Sequence, residues 1–169
     1  ETNSNYEIEN LIVVGGESSN ISYGGPSVND ALNFIKNTYN KNSQDIFSGC
    51  IAIPSRKNES INLMKKSQNG AEFFTTQVLY DSKNIIKMIN NYQKLCDENK
   101  TFPRRILLSF APVSSQKNIN FLKWLGVEIP DNTERYLQGR PGAMTDRSLD
   151  VAIEVLNETL NYITENNLK

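Results

Sequence analysis

Asn62, Lys65 and Lys66 fall within one five-residue run, Asn62-Leu63-Met64-Lys65-Lys66. Asn62 and Lys66 are four apart, so on a helix they share a face. Two ammonium groups beside a ligand can hold a diphosphate as point charges. The same spacing also describes a solvated helix face. Gly15-Gly16-Glu17 would let backbone approach a ligand closely and set a carboxylate beside it. It would equally make a tight turn with an exposed acid. Gln77 closes an apolar run. A side-chain amide there has to find partners or cost stability. It donates and accepts at once, which suits the edge of a heterocycle, although neighbouring backbone would satisfy it as well. Arg56 can serve an anion or simply lie on the surface.

The chain has 169 residues and no histidine. Ser-His-Asp and Cys-His catalysis are therefore impossible within it, as are His-ligated metals. The two cysteines, Cys50 and Cys96, make neither a disulfide framework nor a zinc set. They read as small buried hydrophobes in a reducing, cytoplasmic compartment, and no metal site is expected. Chemistry must come from carboxylates, lysine, tyrosine, hydroxyls, backbone dipoles or a bound cofactor. A net charge of -1 does not draw the chain to nucleic acid or to an anionic membrane. No apolar run reaches the roughly 18 residues of a membrane span.

The elements that would carry these residues alternate strand and helix. Asn10 to Gly15, Cys50 to Pro54, Glu72 to Leu79 and Ile106 to Phe110 are short apolar runs, as buried parallel strands should be. Ser27 with Asp30 forms a capping box for the first helix. The second follows Lys57 with Ile61 and Met64, and stops at Gly70. Ser82 is expected to cap the third, with Ile85, Ile86, Ile89, Tyr92 and Leu95 as its stripe. A fourth runs from about Ser115 to Leu125 and Gly126 closes it. Pro130 can open a short helix. Asp146 is expected to cap the last, with Leu149, Ile153, Leu156, Leu160 and Ile163 facing inward. Adjacent Phe73 and Phe74 should face opposite sides of a strand. This is an α/β chain of parallel βαβα units in one domain over residues 1–169. By pattern alone an open doubly wound sheet fits four strands better than a barrel. In either, ligands gather at the C-terminal strand ends, where Gly15-Gly16-Glu17, Ile53 to Arg56, Gln77 and Ala111 to Ser115 lie.

Four segments together resemble the methylenetetrahydrofolate reductase family: "NLIVVGGESS" from Asn10, "ESINLMKKSQNGAEFFTTQVLYD" from Glu59, "LLSFAPVSSQKNINFL" from Leu107, and "LGVEIP" from Leu125. The resemblance implies part of a (β/α)8 TIM barrel, its fourth to seventh strands, in place of the open sheet. It implies FAD, reduced by NADH or NADPH, and hydride transfer to 5,10-methylenetetrahydrofolate giving 5-methyltetrahydrofolate. It further implies that Gly16, Glu17, Glu59, Asn62, Lys65 and Lys66 bind the flavin. Glu17 would act in catalysis, and Glu17 with Gln77 would contact the folate. Ile53-Pro54 stands where many members have Tyr-Pro, and the histidine that often follows is absent.

A half barrel leaves two strand edges and an apolar interior open. The chain is therefore expected to be a fragment, inactive by itself, or to pair with another copy as a homo-oligomer. The alternatives to the reductase are a flavin-free barrel relative that binds folate or a pterin, and a non-catalytic half barrel that dimerises.

Overall fold

The computed structural model describes residues 9–15, 24–38, 46–139 and 143–169. Four strands form one sheet: β1 (Asn10–Val13), β2 (Phe47–Ala52), β3 (Phe73–Thr76) and β4 (Arg105–Leu107). Among the described residues there are six helices: α1 (Val28–Thr38), α2 (Glu59–Gln68), α3 (Ser82–Glu98), α4 (Gln116–Trp124), α5 (Asp131–Leu137) and α6 (Met144–Glu165). The strands are all parallel and stand in the order β1-β2-β3-β4. A doubly wound sheet reverses its strand order at a switch point. This one never reverses, so it is part of a (β/α) barrel, and the open sheet favoured by pattern alone is corrected. None of the described helices is long and apolar enough to cross a membrane.

Register sorts the side chains by face. Cys50, Phe74 and Ile106 are aligned across β2, β3 and β4. Cys50 and Phe74 are fully buried in a core with Leu32 of α1, Leu63 of α2 and Ile85 of α3. Phe74 meets Tyr92 of α3 edge to face, with ring centroids 5.9 Å apart. The opposite face carries the aligned row Ile12, Gly49, Phe73 and Arg105. There Phe73 stacks on Phe47 at 5.1 Å. The two adjacent phenylalanines thus do face opposite sides. Ile12, Phe47 and Leu107 remain exposed on the inner face.

Most of the caps follow the local chemistry of the sequence. Ser27 and Asp30 form the expected capping box: the Asp30 amide donates to Ser27 Oγ, and the Ser27 amide donates to Asp30 Oδ2, both at 3.2 Å. Gly70 and Gly126 follow α2 and α4 with φ of 118° and 78°, a region that glycine enters at no steric cost. Ser115 caps α4 through the Asn118 amide. Pro130 immediately precedes α5.

Several expectations are corrected. The N-cap of α3 is Asp81, which accepts from the Asn84 amide; Ser82 is the first helical residue and donates to Glu158 of α6. Asp146 sits inside the first turn of α6, beyond the cap residue Ala143. There its charge still complements the helix dipole. Strand β2 starts at Phe47, earlier than expected, and ends before Ile53. The Ile53 amide leaves the ladder for a side chain, and Pro54 has no amide to donate. Strand β4 ends at Leu107 because the Ser109 amide turns to Thr76 Oγ1 at 2.9 Å.

The largest correction concerns α6. Its buried line is Ser148, Val151, Val155 and Thr159, on a helix that packs against α3. Leu149, Ile153 and Leu160 are exposed instead. Leu156, Leu160 and Ile163 line an apolar groove beside β4 with Ile106 and Leu108. In α2, likewise, Ile61 is exposed while Leu63 and Met64 are buried.

Candidate functional site

A cleft of about 450 Å³ opens at the C-terminal ends of β1 and β2. Gly15, Ile53, Arg56, Asn62, Lys65, Lys66 and Gln77 contribute to its wall, with Val28 and Asn29 of α1 and Leu125 at the end of α4. Asn62, Lys65, Lys66 and Gln77 are therefore brought together in one wall. Gly16 and Glu17 lie outside the described residues. At Gly15 an added Cβ would come within 3.2 Å of Val28 Cγ2, so strand end and helix approach closely there.

The β2–α2 connection builds the cationic wall. The backbone turns back on itself, the Arg56 amide donating to the Ile53 carbonyl at 2.9 Å and the Glu59 amide to the Arg56 carbonyl at 3.2 Å. Asn58 takes a left-handed conformation with φ of 61° just before α2, a region Asn tolerates better than most residues. Glu59 then opens the helix with its side chain 1% exposed. A buried carboxylate has to be paired and hydrogen-bonded, and this one is. Oε1 accepts from the Ile53 amide at 3.1 Å and lies 3.4 Å from Lys66 Nζ. Oε2 accepts from Asn62 Nδ2 at 3.0 Å and Arg56 at 3.4 Å. Glu59 is not part of the cleft lining; it stands behind the wall.

The two lysines differ. Lys66 Nζ donates to the Ile51 carbonyl at 2.6 Å as well as meeting Glu59, so its ammonium is tied to the end of β2. Lys65 is exposed and makes no ion pair among the described residues. The described lining holds three cations and no carboxylate. Such a wall attracts anions. Gln77 lies one residue beyond β3; its backbone amide donates to the Ala52 carbonyl at 2.7 Å and its Nε2 to the Leu125 carbonyl at 3.2 Å. Backbone does satisfy the amide donor, yet the side chain still faces the cleft. No group of three or more potential metal ligands occurs among the described residues.

What the sequence reading missed is the hub. Glu59, Asn62 and Lys66 stand at i, i+3 and i+7 on one face of α2, a pattern that was open to view, and Arg56 joins them from the turn three residues before Glu59. The contributions of Asn29 and Leu125 carry no local signal, because they arrive from distant elements.

The model of the family described as methylenetetrahydrofolate reductase matches residues 22–167. The chain belongs to the methylenetetrahydrofolate reductase family. The match takes in β2 to β4 and all six helices, and with them the cleft residues from Val28 onward. A solved structure, described as an uncharacterized protein from Clostridium thermocellum that binds two copies of 5-methyl-5,6,7,8-tetrahydrofolic acid, shares the fold with a TM-score of 0.76. Identity is 24%, over 93% of this chain and 53% of that one. This methylenetetrahydrofolate reductase family chain thus spans about half the length of that protein. No curated protein matches it.

Proposed function

We propose that the chain carries part of the folate-reducing site of a flavin-linked methylenetetrahydrofolate reductase. The observation that carries this reading is the cleft at the strand ends, whose described wall joins Asn62, Lys65, Lys66 and Arg56 with Gln77 in a chain of this family. The residues fit FAD: cations for a pyrophosphate, an amide for hydroxyls, and Gly15 where backbone and ligand can come close. Asn62, Lys65 and Lys66 would hold it, with Gly16 and Glu17 beside the ring. When bound, FAD supplies the hydride that converts 5,10-methylenetetrahydrofolate to 5-methyltetrahydrofolate, having been reduced by NADH or NADPH. The chain's own residues bind and orient. Gln77 offers its amide to the pterin edge, the apolar side chains of Ile51 and Ile53 help exclude water, and the family resemblance assigns to Glu17 the carboxylate near the pterin.

One observation favours a second reading, a flavin-free folate binder. Ile53, an aliphatic side chain, occupies the cleft wall at the end of β2, and the chain has no histidine. The C. thermocellum protein of the same fold binds two copies of 5-methyltetrahydrofolic acid by its description, which supports folate under either reading.

The test is a visible spectrum of the chain after incubation with excess FAD and desalting, beside thermal melts with and without 5-methyltetrahydrofolate. Retained flavin near one per chain supports the reductase. Folate stabilisation without flavin supports the second reading. Neither response from the folded chain would reject both for this chain by itself.

A further inference from the structure

Glu59 has no free acceptor to offer a ligand. A carboxylate has about four acceptor sites, and two donors reach each oxygen: the Ile53 amide and Lys66 at Oε1, Arg56 and Asn62 at Oε2. All three partner side chains line the cleft, while Glu59 does not. Lys66 has spent two of its three donors on Glu59 and the Ile51 carbonyl. Arg56 spends only one terminal nitrogen on Glu59, and its side chain is 48% exposed. A guanidinium carries five donors in a planar fork, so Arg56 keeps most of its donors for a ligand.

We propose that Glu59 is a positioning residue: its buried carboxylate fixes Arg56, with Asn62 and Lys66, to meet an anionic group of the ligand, and it does not touch the ligand itself. Under the flavin reading, on which this rests, the anion is the pyrophosphate of FAD. Under the folate reading it is a glutamyl carboxylate.

The experiment titrates the wild-type chain, Glu59→Gln, Arg56→Ala, Arg56→Lys and the Glu59→Gln/Arg56→Ala double variant with FAD and with riboflavin, which lacks phosphate. Arg56 is half exposed, so Arg56→Ala should stay folded even if Glu59→Gln is destabilised. Glu59→Gln and Arg56→Ala should each weaken FAD binding about tenfold, the size of one charge-assisted hydrogen bond. Riboflavin binding should not change. The double variant should lose little more than either single one, because both remove one coupled unit. Arg56→Lys should recover part of the loss. Equal weakening of riboflavin, additive losses in the double variant, or no loss of FAD would each overturn the proposal. If the wild-type chain binds neither flavin, the flavin reading fails. The same proteins are then titrated with 5-methyltetrahydrofolate and with a pterin that lacks the glutamyl group. A coupled loss confined to the glutamyl ligand supports the role of Glu59. Equal loss on both, or no binding of either, overturns it.

Discussion

The ring of Phe73 occupies the space that a side chain on Gly49 would need: a Cβ added at position 49 would meet three ring carbons at 2.5 to 2.6 Å. The two residues are direct partners in the β2–β3 register, so the ring lies flat across the neighbouring strand and stacks on Phe47. Gly49→Ala should therefore cost about 1–3 kcal/mol through overpacking. The urea midpoint reads the loss, and Phe73→Leu in the same chain should return part of it. A Gly49→Ala chain as stable as wild type would show that the ring is free to move aside.

Lys65 and Lys66 are neighbours in sequence with different duties. Removing Lys66 leaves the buried Glu59 short of a cation and the Ile51 carbonyl short of a donor. Lys66→Ala should lower stability by roughly 3 kcal/mol. Lys65→Ala, at an exposed position, should stay within about 0.5 kcal/mol of wild type. Parallel denaturation curves separate them, and similar curves for both would contradict the tethered geometry.

Tyr92 anchors α3 with its hydroxyl. The oxygen lies 2.8 Å from Ser67 Oγ in α2 and accepts from the Arg104 amide at 3.2 Å just before β4. Tyr92→Phe keeps the ring against Phe74 but strands the Arg104 amide, while Ser67 keeps its bond to the Leu63 carbonyl at 2.9 Å. A loss of about 1–3 kcal/mol is expected, and amide exchange at Arg104 should quicken. Unchanged exchange there would mean that water replaces the hydroxyl freely.

Burial pushes the Cys50 thiol up to about 11, with Lys66 opposing the shift and Glu59 adding to it. The unfolded thiol ionises near 9.0. Below that pH both states are protonated, so the buried thiol's contribution is fully present. Between about 9 and 11 only the unfolded state loses its proton, and stability falls as pH rises. Two units correspond to roughly 3 kcal/mol at most. Urea midpoints at pH 8 and pH 10.5 should drop further in wild type than in Cys50→Ala. Equal drops would assign the loss to other groups, such as the buried Tyr80 and Tyr92, whose ionisation is also raised by burial.

The alternation of apolar runs and capped helices was legible because each signal is local. A capping box needs residues three apart, and a glycine after a helix needs only its own backbone freedom. Strand ends were less legible, since they depend on where an amide finds its acceptor: Ile53 turns to Glu59, and Ser109 turns to Thr76. The buried face of α6 was misread for a related reason. The heavier stripe of Leu149, Ile153 and Leu160 looked like the core side, but the helix buries the smaller Ser148, Val151, Val155 and Thr159 instead. Packing distance between helices rewards small side chains at the contact, and composition alone does not show which stripe meets a neighbour.

By itself the sequence determined that this is a parallel α/β chain without histidine chemistry, with its polar residues at the strand ends. Local hydrogen bonding and periodicity suffice for that. Only the tertiary structure decided that the strands run in unbroken order, that Lys66 is tied down while Lys65 makes no ion pair among the described residues, and that Glu59 lies behind the cleft wall. Each of those depends on which groups meet across elements far apart in the chain, and on a buried carboxylate having to find four donors when water cannot supply them.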